Sequence, residues 1–159
     1  MRAKPPLTLF GWPGKVGGSE TKLAAVAKLM AGEFAITWVP NVRRSLSDRS
    51  GRGWIAAHGM RAAAWEELPP RLRGWGVALC NIPFLTEGRA AEAKGRGLSI
   101  AWGGEMMWAI PGELGAVAAG LVDRFLFASE TQREVLTPAL FVALGGAAGM
   151  GEGRPDDDD

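Results

Sequence analysis

The sequence predicts an α/β fold: a Rossmann-like, doubly wound, mostly parallel sheet with helices on both faces. Three observations predict it. Short apolar runs of strand character alternate along the chain with stretches of helical periodicity. The first forty residues run strand, glycine-rich loop, helix, strand, which is a βαβ unit with parallel strands and a right-handed crossover. The chain has 159 residues, 47% of them hydrophobic, enough for one domain with a buried core.

The first strand is residues 7–11, where Leu7, Leu9 and Phe10 form a short apolar run ended by glycine and proline. A glycine-rich loop follows over 12–18. Ser19 is the expected N-cap of a helix whose apolar face is Leu23, Val26, Ala27 and Met30. Glu20 lies in its first turn, where the helix dipole favours an anion, and Gly32 is the expected end. The second strand, 34–39, is rich in aromatic and β-branched residues and stops at Pro40. Residues 41–53 read as a polar loop, and a helix is expected over roughly 54–68, ended by Pro69 and Pro70. The third strand is 76–81. A helical stretch over 85–94 is interrupted by Gly88. The fourth strand is 98–102, followed by a loop and a small helix over 113–121. The fifth strand is 123–128, and a last helix, 129–136, is capped by Ser129. Residues 1–138 thus form the domain. Residues 139–159 read as a low-complexity tail of alanine, glycine and aspartate, unstructured from about 145, because the four adjacent aspartates at 156–159 repel one another and need solvent.

Composition removes several functions. Lysine plus arginine total 18 and aspartate plus glutamate 17, a net charge of +1, without the basic footprint that general nucleic-acid binding requires. The single cysteine excludes an intrachain disulfide, and one cysteine with one histidine cannot make a zinc site of the usual kind. No carboxylate motif for a metal is evident, and no metal or cofactor is expected. No apolar run reaches the ~20 residues that span a bilayer, and the apolar stretch at 7–10 is too short for a signal-peptide core of about 7–15 residues. The expected location is the cytoplasm, with at most peripheral membrane contact.

The loop Gly11, Gly14, Gly17, Gly18 is the most informative motif. Glycines let a loop turn tightly and let its N–H groups approach a ligand. The helix beginning near Ser19 points its N-terminus at the loop, an arrangement suited to phosphate or carboxylate. Two familiar motifs fail: Gly14 and Lys15 are followed by Val16 rather than Ser or Thr, and no G-x-G-x-x-G is present. The plainer reading is a turn needed only for strand–helix packing. Glu105, on the loop after the fourth strand, is a candidate for a sugar hydroxyl or a base, since ligands of doubly wound sheets bind beyond the carboxyl ends of strands. Trp102 and Trp108 offer flat faces beside it, and Trp12 lies on another loop at the same end. All three would make an exposed apolar patch if they line a cleft; the plainer reading places the tryptophans in the core. Arg43, Arg44, Arg49 and Arg52 suit an anion but read first as a solvated connection. His58, the only histidine, reads as structural. Cys80 reads as an inert residue of a buried strand.

The segment from Phe10 to Leu23 resembles the first loop and helix of GT-B glycosyltransferases, in which a strand leads to a G-G-x-E-x-x-x-x-x-L pattern; Gly17, Gly18 and Glu20 fit its start. Residues 98–136 resemble the end of the same N-terminal domain, where Asp123, Ser129, Glu130 and Leu136 fit a D-x-h-h-h-x-S-E-x-x-x-x-x-L strand–helix pair (h, apolar). The resemblance covers residues 7–138 and is strongest to the retaining, nucleotide-sugar-dependent groups, though the residues themselves leave retention or inversion open. It implies a domain that binds a sugar or lipid-linked acceptor and forms one wall of the donor cleft, with Gly14, Lys15, Gly17, Gly18, Glu20 and Glu105 as the substrate-binding residues. It implies no bound metal. Because the family's nucleotide-sugar domain has no counterpart in the chain, it also implies a fragment that needs a separate second domain for transfer. Two other readings stay open: a stand-alone flavodoxin-like module that binds an anion or nucleotide without catalysis, and a non-functional gene fragment.

Overall fold

Leu7, Leu9 and Phe10 form the expected buried strand, β1 (Pro6–Phe10), at the centre of the sheet. The computed structural model describes residues 2–12, 18–40, 50–104 and 106–149. Within them β1 is joined by β2 (Ala35–Val39), β3 (Arg61–Ala62), β4 (Trp75–Leu79), β5 (Ser99–Gly103) and β6 (Arg124–Leu126). All neighbours are parallel, in the order β3-β2-β1-β4-β5-β6. This is a Rossmann-like α/β sheet, and its strand order reverses between β1 and β4.

Parallel strands covered on both faces must carry apolar residues in both directions. Along β1, Leu7 and Leu9 enter one core while Phe10 enters the other. Trp38 and Val39 divide in the same way, as do Val77 and Ala78. The first core is closed by α1 (Gly18–Met30), through Leu23 and Ala27, and by α2 (Ser50–Ala57), through Ile55. The second lies under α3 (Ile82–Thr86), α4 (Arg89–Gly95) and α5 (Pro111–Ala118). Gly88, at φ 85°, turns the chain between α3 and α4, where the interruption was expected.

The single helix expected over 54–68 is instead α2, the two-residue strand β3 and one 3-10 turn at Trp65–Glu67. Burial explains the difference. Met60 packs in the first core, while Ala63, Trp65 and Leu68 pack in the second. A straight helix buries one stripe on one side of a sheet, so this segment must round the sheet edge. Gly59, at φ 72°, ends the helix and allows it.

The tail boundary also moves. The last helix, α6 (Glu130–Gly149), runs through Pro138 well past residue 139. Leu136 and Leu140 lie one helical turn apart, and both are buried with Val117 of α5, next to Ala143. This packing outweighs the weak helix propensity of the glycines. Residues 150–159 lie outside the described residues. Among the described residues no helix is long and apolar enough to cross a membrane.

Candidate functional site

The crossovers from β1 and β4 leave in opposite directions, so the carboxyl ends of these strands mark the switch point, where doubly wound sheets bind ligands in a crevice. Gly11 lies at that point, directly after β1. Its N–H donates to Val39 O at 3.1 Å, and its carbonyl accepts from the buried Trp38 Nε1 at 2.6 Å. Its φ is 145°, and a Cβ placed there would lie 2.9 Å from Leu23 Cδ2 and 3.9 Å from Asn81 Nδ2. Only glycine meets both demands, so this glycine serves the backbone whatever the loop binds. Two half-buried residues, Trp12 from the end of β1 and Asn81 from the end of β4, lie beside it. The thirteen-residue α1 begins at Gly18, one residue before the expected cap Ser19, at the far side of the β1–α1 connection. Its first N–H groups and the positive end of its dipole therefore serve this end of the sheet.

Cys80 departs from expectation. It is not a core residue of a strand: it follows β4, is half-buried, and has a left-handed φ of 53°, a conformation that costs a non-glycine residue ~1–2 kcal/mol. Its N–H donates to Gly103 O at 2.7 Å, and its Sγ reaches Gly104 O at 3.5 Å. These contacts tie the end of β4 to the loop after β5.

That loop is gripped from behind by two buried polar side chains. Glu113, 1% exposed, accepts from Trp102 Nε1 at 2.9 Å and from Ile110 N at 3.2 Å. Gln132, 2% exposed, donates to Gly104 O and Met106 O. Trp102 is thus a core residue with a buried partner and does not face the cleft, whereas Trp108, Met106 and Met107 are exposed beyond the loop.

The expected substrate-binding residues fall as follows. Gly18 opens α1 and Glu20 sits in its first turn. Gly14, Lys15, Gly17 and Glu105 lie outside the described residues. Of the arginines expected in a loop, Arg52 belongs to α2 and pairs with Glu67; Arg43, Arg44 and Arg49 lie outside the described residues. His58 stacks on Trp54 at 3.9 Å, and its Nδ1 lies 2.8 Å from Trp54 O; just before β3, it sits at the opposite end of the sheet from the crevice.

The residues that match the second half of the resemblance do structural work. Asp123 accepts from Lys94 Nζ at 2.7 Å and from Ile100 N at 2.7 Å. Burial raises its carboxyl, but the Lys94 ammonium and the Ile100 N–H together outweigh this and hold it below the usual aspartate range. Ser129 Oγ accepts from Gln132 N at 3.1 Å, Glu130 pairs with Arg133, and Leu136 is 1% exposed. Sequence reasoning missed Asn81 and Gln132. Asn81 carried a signal, being the first amide side chain after an apolar strand; Gln132 carried only that of a helix start, standing three residues after the cap Ser129, and nothing that pointed to the loop after β5. No group of three or more potential metal-binding side chains exists among the described residues.

No protein-family model matches the chain, and no curated protein matches its sequence significantly.

Proposed function

We propose that this chain is the acceptor-side domain of a GT-B-type glycosyltransferase and that the phosphates of a nucleotide-sugar donor meet it in the crevice between β1 and β4. The observation that carries the reading is that Gly11 stands at the reversal point of the sheet beside Asn81 and that α1, the next element, begins at Gly18. Backbone N–H groups and the dipole of α1 suit a diphosphate, whose charge grows as the sugar leaves; their stabilisation of that charge is this domain's contribution to transfer. The half-exposed faces of Trp12 and Trp108 suit the sugar or acceptor. Transfer itself requires a second domain that carries most of the nucleotide site.

A second reading, a stand-alone flavodoxin-like module that binds an anion or nucleotide without catalysis, is favoured by one feature: both faces of the sheet are covered by the chain's own helices. Calorimetric titration with UDP- and GDP-sugars, beside uridine as the phosphate-free control, tests the site. Phosphate-dependent binding that Gly18→Val abolishes supports it, and a cooperatively folded chain that binds none of them refutes it. Sugar transfer on adding a partner domain separates the two readings.

A further inference from the structure

We propose that Gln132 is a positioning residue of this crevice: from α6 it fixes the loop after β5 against the carboxyl end of β4, and so sets how tightly the crevice holds its ligand. The inference rests on the crevice being the binding site. Gln132 is 2% exposed, and a buried primary amide is tolerated only when its donors and acceptor are used. All are used here, the two donors on the loop after β5 and the acceptor at the start of α6. Nε2 donates to Gly104 O at 3.3 Å and to Met106 O at 2.9 Å, while Oε1 accepts from Ala128 N at 2.6 Å.

Only Oε1 serves the helix, where it holds the Ala128 N–H while Ser129 Oγ accepts from the Gln132 N–H. The two N–H donors serve the loop, 28 and 26 residues away in sequence. The opposite side of the loop is closed by Glu113: a Cβ on Gly104 would lie 2.8 Å from its Oε1. Gly104 O also meets Cys80 Sγ, at the end of β4 where the sheet order reverses. A shift of Gly104 therefore moves the wall of the crevice itself.

Two variants move the loop from opposite sides. Gln132→Met keeps the volume and removes both the donors to the loop and the acceptor for Ala128 N; Gly104→Ala wedges the loop against Glu113 and leaves Gln132 intact. Ser129→Ala weakens the start of α6 without touching the loop. Three quantities are read: amide hydrogen exchange at Met106, Met107 and Trp108, affinity for UDP by calorimetry, and the thermal midpoint. Gln132→Met and Gly104→Ala are each expected to speed loop exchange and weaken UDP binding roughly tenfold, whereas Ser129→Ala lowers the midpoint and changes neither. Unchanged UDP affinity in either loop variant, or an equal loss in Ser129→Ala, overturns the proposal. If Gln132→Met does not fold, Gly104→Ala decides. If the wild-type chain binds no UDP, the functional reading fails, and the positioning role is decided by exchange alone: faster loop exchange in Gln132→Met sustains it and unchanged exchange overturns it.

Discussion

Replacing Gly11 with alanine tests whether the chain directly after β1 is set by backbone geometry. Two costs are visible. At φ 145° an L side chain is strained, which costs ~1–3 kcal/mol. The added Cβ would also lie 2.9 Å from Leu23 Cδ2, within contact distance. The residue cannot relax freely, because Val39 O holds its N–H and the buried Trp38 indole holds its carbonyl. Leu23 meets the clash with the end of a flexible side chain, so it yields part of the way, at about 1 kcal/mol. The sum is about 2–4 kcal/mol, or a fall in the thermal midpoint of ~5–15 °C for a domain of this size. Urea denaturation followed by tryptophan fluorescence measures it, with an unchanged m-value showing that the native state alone is affected. Gly32→Ala is the control: no atom lies within 4 Å of a Cβ there, so it is expected to be neutral or to stabilise by up to ~1 kcal/mol through the unfolded chain. A Gly11→Ala variant within about 0.5 kcal/mol of wild type would refute the reasoning.

Asp123→Asn removes the bridge to Lys94 and is expected to cost ~1 kcal/mol at neutral pH. Because the folded carboxyl is held below its unfolded value, its contribution is complete above the unfolded pKa and is lost as pH falls through the folded one; the gap between wild type and variant should therefore close below about pH 4, as read from denaturation at stepped pH. Trp102→Phe leaves the buried Glu113 without its indole donor and is expected to cost about 2–4 kcal/mol, whereas Trp108→Phe, at a 60% exposed position, should stay within ~0.5 kcal/mol of wild type. Leu140→Ala should cost about 2–4 kcal/mol because α6 packs on α5 there, while Phe141→Ala, 75% exposed on the next position, should be nearly neutral; equal effects would show that the helix does not pack beyond residue 139.

The parts of the fold legible in the sequence are those set by local pattern. Leu7, Leu9 and Phe10, or Ile36, Trp38 and Val39, are apolar on both faces of a strand, and that pattern alone places them in a buried parallel sheet. Gly88 announced its break because only glycine takes φ 85° cheaply. What stayed hidden depends on contacts far apart in sequence. Arg61 and Ala62 have no strand period; they pair with β2 because Met60 and Ala63 must lie on opposite sides of the sheet. Residues 139–149 look like a tail until Leu136 and Leu140 meet Val117.

The site divides in the same way. The helix after the glycine-rich segment was legible from spacing. The left-handed Cys80 was not, because its partners are Gly103, at the end of a neighbouring strand, and Gly104, just after it. Glu113 and Gln132 hold the loop after β5, and their importance lies in burial and in partners across the fold, which the sequence does not display. The tryptophans show the limit of reading residue type: Trp102, in β5, is fully buried and Trp108, on the loop six positions later, is exposed.

The most direct test of the account is backbone amide NMR of the isotopically labelled chain titrated with UDP. The account predicts that shifts concentrate at Gly11, Trp12, Gly18, Cys80, Asn81 and Gly104, with Gly74, Gly97 and His58 at the opposite end of the sheet unmoved. Shifts centred on that opposite end, or none at saturating UDP, would contradict it.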